Sequence, residues 1–411
     1  MTEKIEKETN LLNKQYVLSC FVNFTAMLVH YACLINFPVF ILDVLKRDAS
    51  IAGLITTAYI FAAMLLRPIG APILSKIGTR FSVLVGLGIV FISAVGYTFG
   101  ATMITLLFAA RILNGFGFGL QQTALNTAVV DFIPATRKGE GLGNFSMFMN
   151  IGSAIAPMLS LGIVKAYGYT ILFEGCMGLS LIAIAGAYYL RPHELTKKAA
   201  PAQEKRLFSL RDYFEPKAFP VAIFGAFIFA FCYTVINTFF AAYARTIPSV
   251  VSYIGFFFMA ISAVLVVVRP FIGRVMDKKG EQYIMYPGFV VLALGMFLIS
   301  RMDSVPMMFL AAACLGMGYS AIFAGAQSSC IKAASADRVG QANVTFFFFF
   351  DLGFSLGAFC FGLVAKSIGF SNMYLADSVL YLIGFALYFL FVGRNLARAR
   401  STKTTNSTSA A

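Results

Sequence analysis

A long apolar run ends in Arg67-Pro68 and is followed by Lys76-x-Gly78. At a constant offset of 202 positions, a second run ends in Arg269-Pro270 and is followed by Lys278-Lys279-Gly280. Half of the 411 residues is about 205, so the chain is an internal duplication. Further pairs stand 201 apart: Arg137-x-Gly139 with Arg338-x-Gly340, Gly152-x-x-x-Ala156 with Gly353-x-x-x-Gly357, and Gly168-Tyr169 with Gly369-Phe370. Whatever fold forms, it forms twice, with a short basic turn between two apolar runs in each copy.

Those runs are too apolar for a soluble domain. The chain is 59% hydrophobic and 12% charged, with mean hydropathy +0.81, and too few charges remain to cover a water-exposed surface. About 20 apolar residues cross a bilayer as a helix. Spans fall near 16–40, 50–74, 81–100, 103–130, 143–166, 170–190, 219–243, 251–272, 283–300, 305–330, 342–365 and 373–392. The net charge of +14 follows topology. Lys46, Arg47, Lys165, Arg245, Arg301 and Lys366 fall on one side, Arg111 falls inside a span, and the other Lys and Arg cluster at the opposite side. The positive-inside rule makes that side and both termini cytoplasmic, and the basic excess a contact for anionic membrane lipid rather than nucleic acid. The seven cysteines lie in apolar runs without Cys-x-x-Cys, as small packing residues do. The first run is too long for a cleaved signal and remains as helix 1.

The fold class is therefore an all-α membrane protein of twelve transmembrane helices in two pseudo-symmetric six-helix bundles. Residues 1–15 form a cytoplasmic leader, 16–190 the first bundle, 191–218 a cytoplasmic linker, 219–392 the second bundle and 393–411 a cytoplasmic tail. Repeated membrane halves imply alternating access, with a site where the halves meet.

Specific motifs sharpen this. Gly273-Arg274-Val275-Met276-Asp277-Lys278-Lys279-Gly280 joins helices 8 and 9. Its glycines suit a tight turn and Asp277 can cap a helix. This segment resembles the Gly-x-x-x-Asp-(Arg/Lys)-x-Gly loop of the major facilitator superfamily, and the fold it implies is the major facilitator fold. The first copy departs from that pattern: Ala71 replaces the first glycine and Ser75 the acid, while Arg67, Lys76, Gly78 and Arg80 are kept. The resemblance assigns these turns to gating of the cytoplasmic face. It also implies that the face is held more firmly by Asp277 than by Ser75.

Helix 4 carries Arg111-Ile112-Leu113-Asn114-Gly115, similar to the Arg-x-x-x-Gly signature of proton-coupled members. A cation within a span marks function, unless it snorkels to the interface. Helical spacing sets Gly115, Phe118 and Gln122 on its face. With Asp131 and Arg137-Lys138-Gly139-Glu140-Gly141, the helix resembles a drug:proton antiporter branch that includes sugar-efflux and opine-metallophore exporters; Asp131 is then a gating residue. Gly152-Ser153-Ala154-Ile155-Ala156-Pro157 resembles the helix 5 antiporter motif, which places Gly152 and Pro157 among the gating residues and favours export.

Three other polar residues keep two readings. Asp351 in helix 11 is a proton carrier or a structural partner. His30 in helix 1, with Asn23 on its face, is a proton or substrate ligand or a hydrogen-bonded packing residue. Glu174 is a proton carrier or a helix-terminal charge. The family places helices 1, 4, 7 and 10 around the cavity, which adds Tyr233, Asn237 and Phe240 of helix 7 and Tyr319 and Phe323 of helix 10. Such a pocket suits an amphipathic or anionic organic solute. There is no phosphate-cradling loop, nucleophile constellation or metal-ligand spacing, so neither an enzyme nor a cofactor is expected. The expectation is a monomeric secondary transporter of the plasma membrane, coupling export of a small molecule to protons. An importer or facilitator on the same fold is the alternative.

Overall fold

The computed structural model describes residues 11–99, 103–134, 137–192, 214–335 and 338–393. The first ten residues of the leader, positions 193–213 of the linker and 394–411 of the tail lie outside the described residues. The described chain is helical. In the first half, α1 is Lys14–Asp43, α2 Ala49–Ile77, α3 Thr79–Phe99 and α4 Ile104–Phe132. The next helix, Lys138–Tyr188, is 51 residues long, about 76 Å at 1.5 Å per residue and more than twice the hydrocarbon thickness. It breaks at Gly168, whose φ of 84° and ψ of −179° are non-helical, and so forms α5 (138–167) and α6 (169–188).

The second half repeats the plan. α7 is Pro216–Ala244, α8 Ile254–Lys279, α9 Gln282–Ser300 and α10 Val305–Ala333. Val339–Tyr388 breaks at Gly369 (φ 79°, ψ 166°) into α11 (339–368) and α12 (370–388). Ten helical stretches are long and apolar enough to cross a membrane, and the two glycine breaks make them twelve spans. The described glycines with left-handed φ are Gly78, Gly168, Gly280 and Gly369, which are two repeat pairs. Each stands where one span must reverse into the next, with positive φ and extended ψ, a backbone region that is essentially glycine's alone and costs other residues about 1–3 kcal/mol.

By its contacts the chain divides into 1–207 with 254–262, and 208–253 with 263–411. Within the first unit, α1 packs along the 138–188 helix, α2 and α3 pack on α4, and α1 touches α2 and α4. Gly115 and Gly119 of α4 face the α2 backbone, where a Cβ would collide with the Tyr59 carbonyl or approach that of Ala63 to 2.7 Å. Gly152 faces α1, with Met27 Cβ 3.0 Å from where its own Cβ would stand. Within the second unit, α7 packs on the 339–388 helix and α9 on α10. Gly353 and Gly357 meet the carbonyls of Phe227 and Phe231 on α7 so closely that any side chain would clash. Small residues allow this approach because lipid supplies no hydrophobic drive between helices.

The basic turns differ from the expected loop. α2 continues through Ile77 and α8 through Lys279, so Ser75 and Asp277 lie inside the preceding helices. Ser75 Oγ donates to the Pro72 carbonyl at 2.8 Å instead of capping the next helix. Asp277 is exposed and likewise caps nothing, since the N-cap position of α9 is Glu281. Gly273 is a helix-interior residue with open space where a Cβ would stand. Only Gly78 and Gly280 make the turn.

Candidate functional site

α4 brings Arg111 to the middle of the first bundle. Its side chain is 0% exposed, which excludes snorkelling. The guanidinium carbon lies 4.5 Å from the Phe37 ring centroid on α1 and 4.3 Å from that of Tyr59 on α2. Tyr97 of α3 and Cys33 of α1 stand close by. None of the three guanidinium nitrogens makes a well-aligned hydrogen bond among the described residues, and the polar group that faces them is the Tyr97 hydroxyl. Two desolvated cation–π contacts contribute about 2 kcal/mol each. That is comparable to the roughly 3 kcal/mol cost of placing Arg at the centre of a span. The rings therefore let the cation stay buried with the Tyr97 hydroxyl facing its five N–H donors.

Tyr59 links Arg111 to His30. The His30 Nδ1 and Tyr59 hydroxyl are 2.5 Å apart, and the His30 ring stacks on Phe118 with centroids 4.1 Å apart and 11° between planes. A small cleft beside them is lined by Ala26, Val29, His30, Tyr59, Val90, Asn114, Phe118 and Gln121. Tyr59 thus brings Arg111, His30 and Phe118 into one cluster. Gln122 is not part of it: it donates to Met149 Sδ at 3.9 Å, and its neighbour Gln121 lines the cleft. The i+3 and i+10 positions from Arg111 face the cleft, and the i+4 glycine is used for packing on α2. Asn23 is fully buried one turn below the cleft residue Ala26, with both amide atoms unpartnered among the described residues. Glu174 is exposed, because Phe173 and Cys176 take the inward face of α6.

In the second bundle, Tyr233 and Tyr319 pack edge to face at 4.8 Å. Tyr319 stacks on Phe323 at 5.5 Å, and Phe323 meets Phe346 and Phe350. Phe240 is fully buried, Asn237 half-buried, and Asp351 buried on α11. The sequence reading missed Asp377 of α12, which is 0% exposed and faces the Cys232 thiol of α7. A lone acid inside an apolar run was the available signal.

The basic-turn ends of the two bundles are tied differently. In the first, Asn13 Nδ2 donates to the Phe132 carbonyl at 2.7 Å and the Tyr16 hydroxyl to the Gly141 carbonyl at 2.7 Å. Arg80 Nη2 donates to the Tyr188 carbonyl, over whose ring its guanidinium sits. Lys76 is exposed in the last turn of α2, and Asp131 lies in the last turn of α4. The Arg67 side chain lies outside what is described. In the second, Glu215 pairs with Arg338 at 2.7 Å, and Glu281 with Lys332. Ser328 adds a hydrogen bond to Glu281 at 3.1 Å. Burial works to raise the Glu281 pKa, but the Lys332 and Ser328 hydrogen bonds hold it below the usual carboxylate range. Lys278 is exposed, and Asp277 makes no ion pair among the described residues; Glu281 is the engaged acid.

Similarity to known proteins decides the family. The sequence profile of the Major Facilitator Superfamily matches residues 19–358, and again 251–410. The chain belongs to the Major Facilitator Superfamily. It is a multi-pass membrane transporter, with the twelve-helix fold of that superfamily. An uncharacterized superfamily transporter of Methanocaldococcus jannaschii is 23% identical, over 83% of this chain and 89% of that protein. The staphylopine export protein of Staphylococcus aureus is 22% identical, over 83% of this chain and 87% of that protein. The quinolone resistance protein NorA of the same species is 24% identical over 45% of this chain and 51% of its own. Among solved structures, a point mutant of the nucleoside transporter NupG superposes with TM-score 0.81 at 14% identity, covering 93% of this chain and 100% of that one. A POT family transporter in complex with 5-aminolevulinic acid superposes at 0.77 and 15% identity, over 92% of this chain and 96% of its own.

Proposed function

We propose that this transporter exports a small amphipathic or anionic organic solute across the plasma membrane in exchange for protons, by alternating access. The observation that carries the reading is Arg111: a fully buried cation, walled by Phe37 and Tyr59, beside the Tyr97 hydroxyl and with no acidic partner among the described residues. A carboxylate or similar group of the solute would complete that guanidinium as a charge-assisted pair. The aromatic faces of Phe118, Tyr59 and His30 would hold its apolar body. Export is supported by the relatives, a staphylopine exporter and a quinolone resistance protein. In this reading His30 and Asp351 take part in proton coupling, and the ion-paired turns of the second bundle gate the cytoplasmic face. The bundles at 16–190 and 219–392 are the moving units, both termini are cytoplasmic, the basic turns touch anionic lipid, and the chain works as a monomer.

The test is transport in inverted vesicles or liposomes of defined lumen pH, screened with radiolabelled amino-carboxylates, sugars and quinolones. Accumulation on acidifying the lumen, abolished by a protonophore and by Arg111→Lys, is the expected outcome. Lysine keeps the charge but lacks the planar fork and the ring stacking. Indifference to the pH gradient would exclude proton coupling. Accumulation on alkalinising the lumen would make the protein an importer.

A further inference from the structure

The internal duplication places a second, unassigned group beside the one already described. Asp377 of α12 stands 201 positions after Cys176 of α6, and Cys232 of α7 stands 202 after His30 of α1, one turn from Cys33. In the first bundle Cys33 and Cys176 meet across α1 and α6 with sulfurs 3.8 Å apart. In the second, the Cys232 thiol lies against the Asp377 carboxyl across α7 and α12. The same junction of first and sixth helices thus carries thiol with thiol in one copy and thiol with carboxyl in the other.

The surroundings of Asp377 offer it no charge. From α7 the facing titratable group is Cys232, and from its own helix Tyr374 and Tyr381, one turn to either side. Both hydroxyls are already engaged: Tyr374 donates to the Val235 carbonyl at 3.1 Å and Tyr381 to that of Phe229 at 3.3 Å. α9 presents the Ala293 carbonyl, which accepts from Ser378 at 2.7 Å. No Lys, Arg, His or second acid bears on Asp377 among the described residues. An isolated carboxylate in such a place costs several kcal/mol, whereas the neutral acid costs far less. A packing role at this junction needs no acid, since its repeat partner fills the same place with a thiol.

We propose that Asp377, with the Cys232 thiol as its neighbour, is a proton-binding site of the second bundle. It holds a proton as the neutral acid and releases it to water when the α7–α12 seam is wetted. This assignment rests on the proton-coupled reading above and names a carrier for it. The step is acid–base only: the O–H bond breaks heterolytically, the carboxylate keeps the electron pair, and water takes the proton.

The experiment is pH-difference infrared spectroscopy of the purified full chain in lipid, comparing wild type with Asp377→Asn, Asp377→Glu, Asp351→Asn and Cys232→Ala. The expected result is a carboxylic C=O band that bleaches on titration from acid to alkaline pH. That band should be absent in Asp377→Asn, retained at a changed frequency in Asp377→Glu, shifted in Cys232→Ala, and unchanged in Asp351→Asn. Dicyclohexylcarbodiimide labelling of the wild type, located by peptide mass spectrometry, should modify Asp377 and fall about tenfold or more over the same range. That arm needs no variant to fold. Titrating C=O intensity undiminished in Asp377→Asn overturns this site and leaves proton coupling through Asp351 or His30 standing. An Asp377 that never titrates or labels overturns the site as well. A wild type with no titrating carboxyl at all removes the proton-coupled reading with it.

Discussion

Arg111 illustrates how a single residue can serve function at the expense of stability. Its two aromatic walls offset much of the cost of a buried cation, but they give its N–H groups nothing to bond. Replacing it with an apolar side chain of similar length should therefore stabilise the protein. Arg111→Met is expected to raise the thermal midpoint in detergent, equivalent to about 1–4 kcal/mol, the range seen when buried ionic groups are exchanged for apolar ones, and to abolish transport. A lowered midpoint would mean that the guanidinium has a partner in the working protein. At this scale the sequence was informative about residue type and poor about direction. Arg111 in a span, His30 and Phe118 could be singled out from chemistry and spacing. Gln122 was preferred over Gln121 because at 100° per residue i+11 returns to within about 20° of Arg111 and i+10 only to about 80°; the packing of α4 turns the cleft toward i+3, i+7 and i+10 instead.

The glycines act at the scale of the helix. Gly357 lies against the α7 backbone, so Gly357→Ala forces α11 and α7 apart. The expected loss is about 1–3 kcal/mol, read as a lowered midpoint and poor recovery of monodisperse protein. Gly273 has the opposite context despite belonging to the basic-turn motif: it is interior to α8 with nothing within 4 Å of a Cβ. Gly273→Ala should leave the protein unchanged or stabilise it by about 0.5–1 kcal/mol through helix propensity. Comparable losses at both positions would show that the turn, and not the helix, sets the requirement at Gly273. The repeat pairs Gly78 with Gly280 and Gly168 with Gly369 were visible as spaced glycines. That only these four among the described glycines have left-handed φ, while Gly273 stays helical, follows from where each helix runs out of membrane to cross.

On the scale of the whole molecule, the two copies have diverged in charge. Positions 13 and 215 are repeat partners, yet Asn13 bonds a carbonyl and Glu215 an arginine. Among the described residues the second copy pairs Glu215 with Arg338 and Glu281 with Lys332 across segments, whereas the first pairs Arg137 with Glu140 within one turn. The acid held in place by both a lysine and a serine is Glu281. Its folded pKa is depressed, so it stabilises the fold at pH values above the ordinary carboxylate value, and that contribution disappears as pH falls through the depressed value. Thermal midpoints should accordingly drop on acidification below about pH 4.3, less steeply in Glu281→Gln. Glu281→Gln and Lys332→Ala should be non-additive in a double-mutant cycle, whereas Asp277→Asn should be close to silent. A large effect of Asp277→Asn with a silent Glu281→Gln would return the role to the motif acid. The sequence by itself determined the membrane environment, the two-fold plan and the helix count. Apolar length, basic-residue bias and constant repeat spacing are one-dimensional properties imposed by the bilayer. Only the tertiary structure decided that Arg111 is sealed among rings, that Glu281 and not Asp277 is engaged, and that Asp377 stands at the place Cys176 holds in the first copy. Each depends on which way a helix is turned, and packing sets that rotation among several faces of nearly equal hydrophobicity.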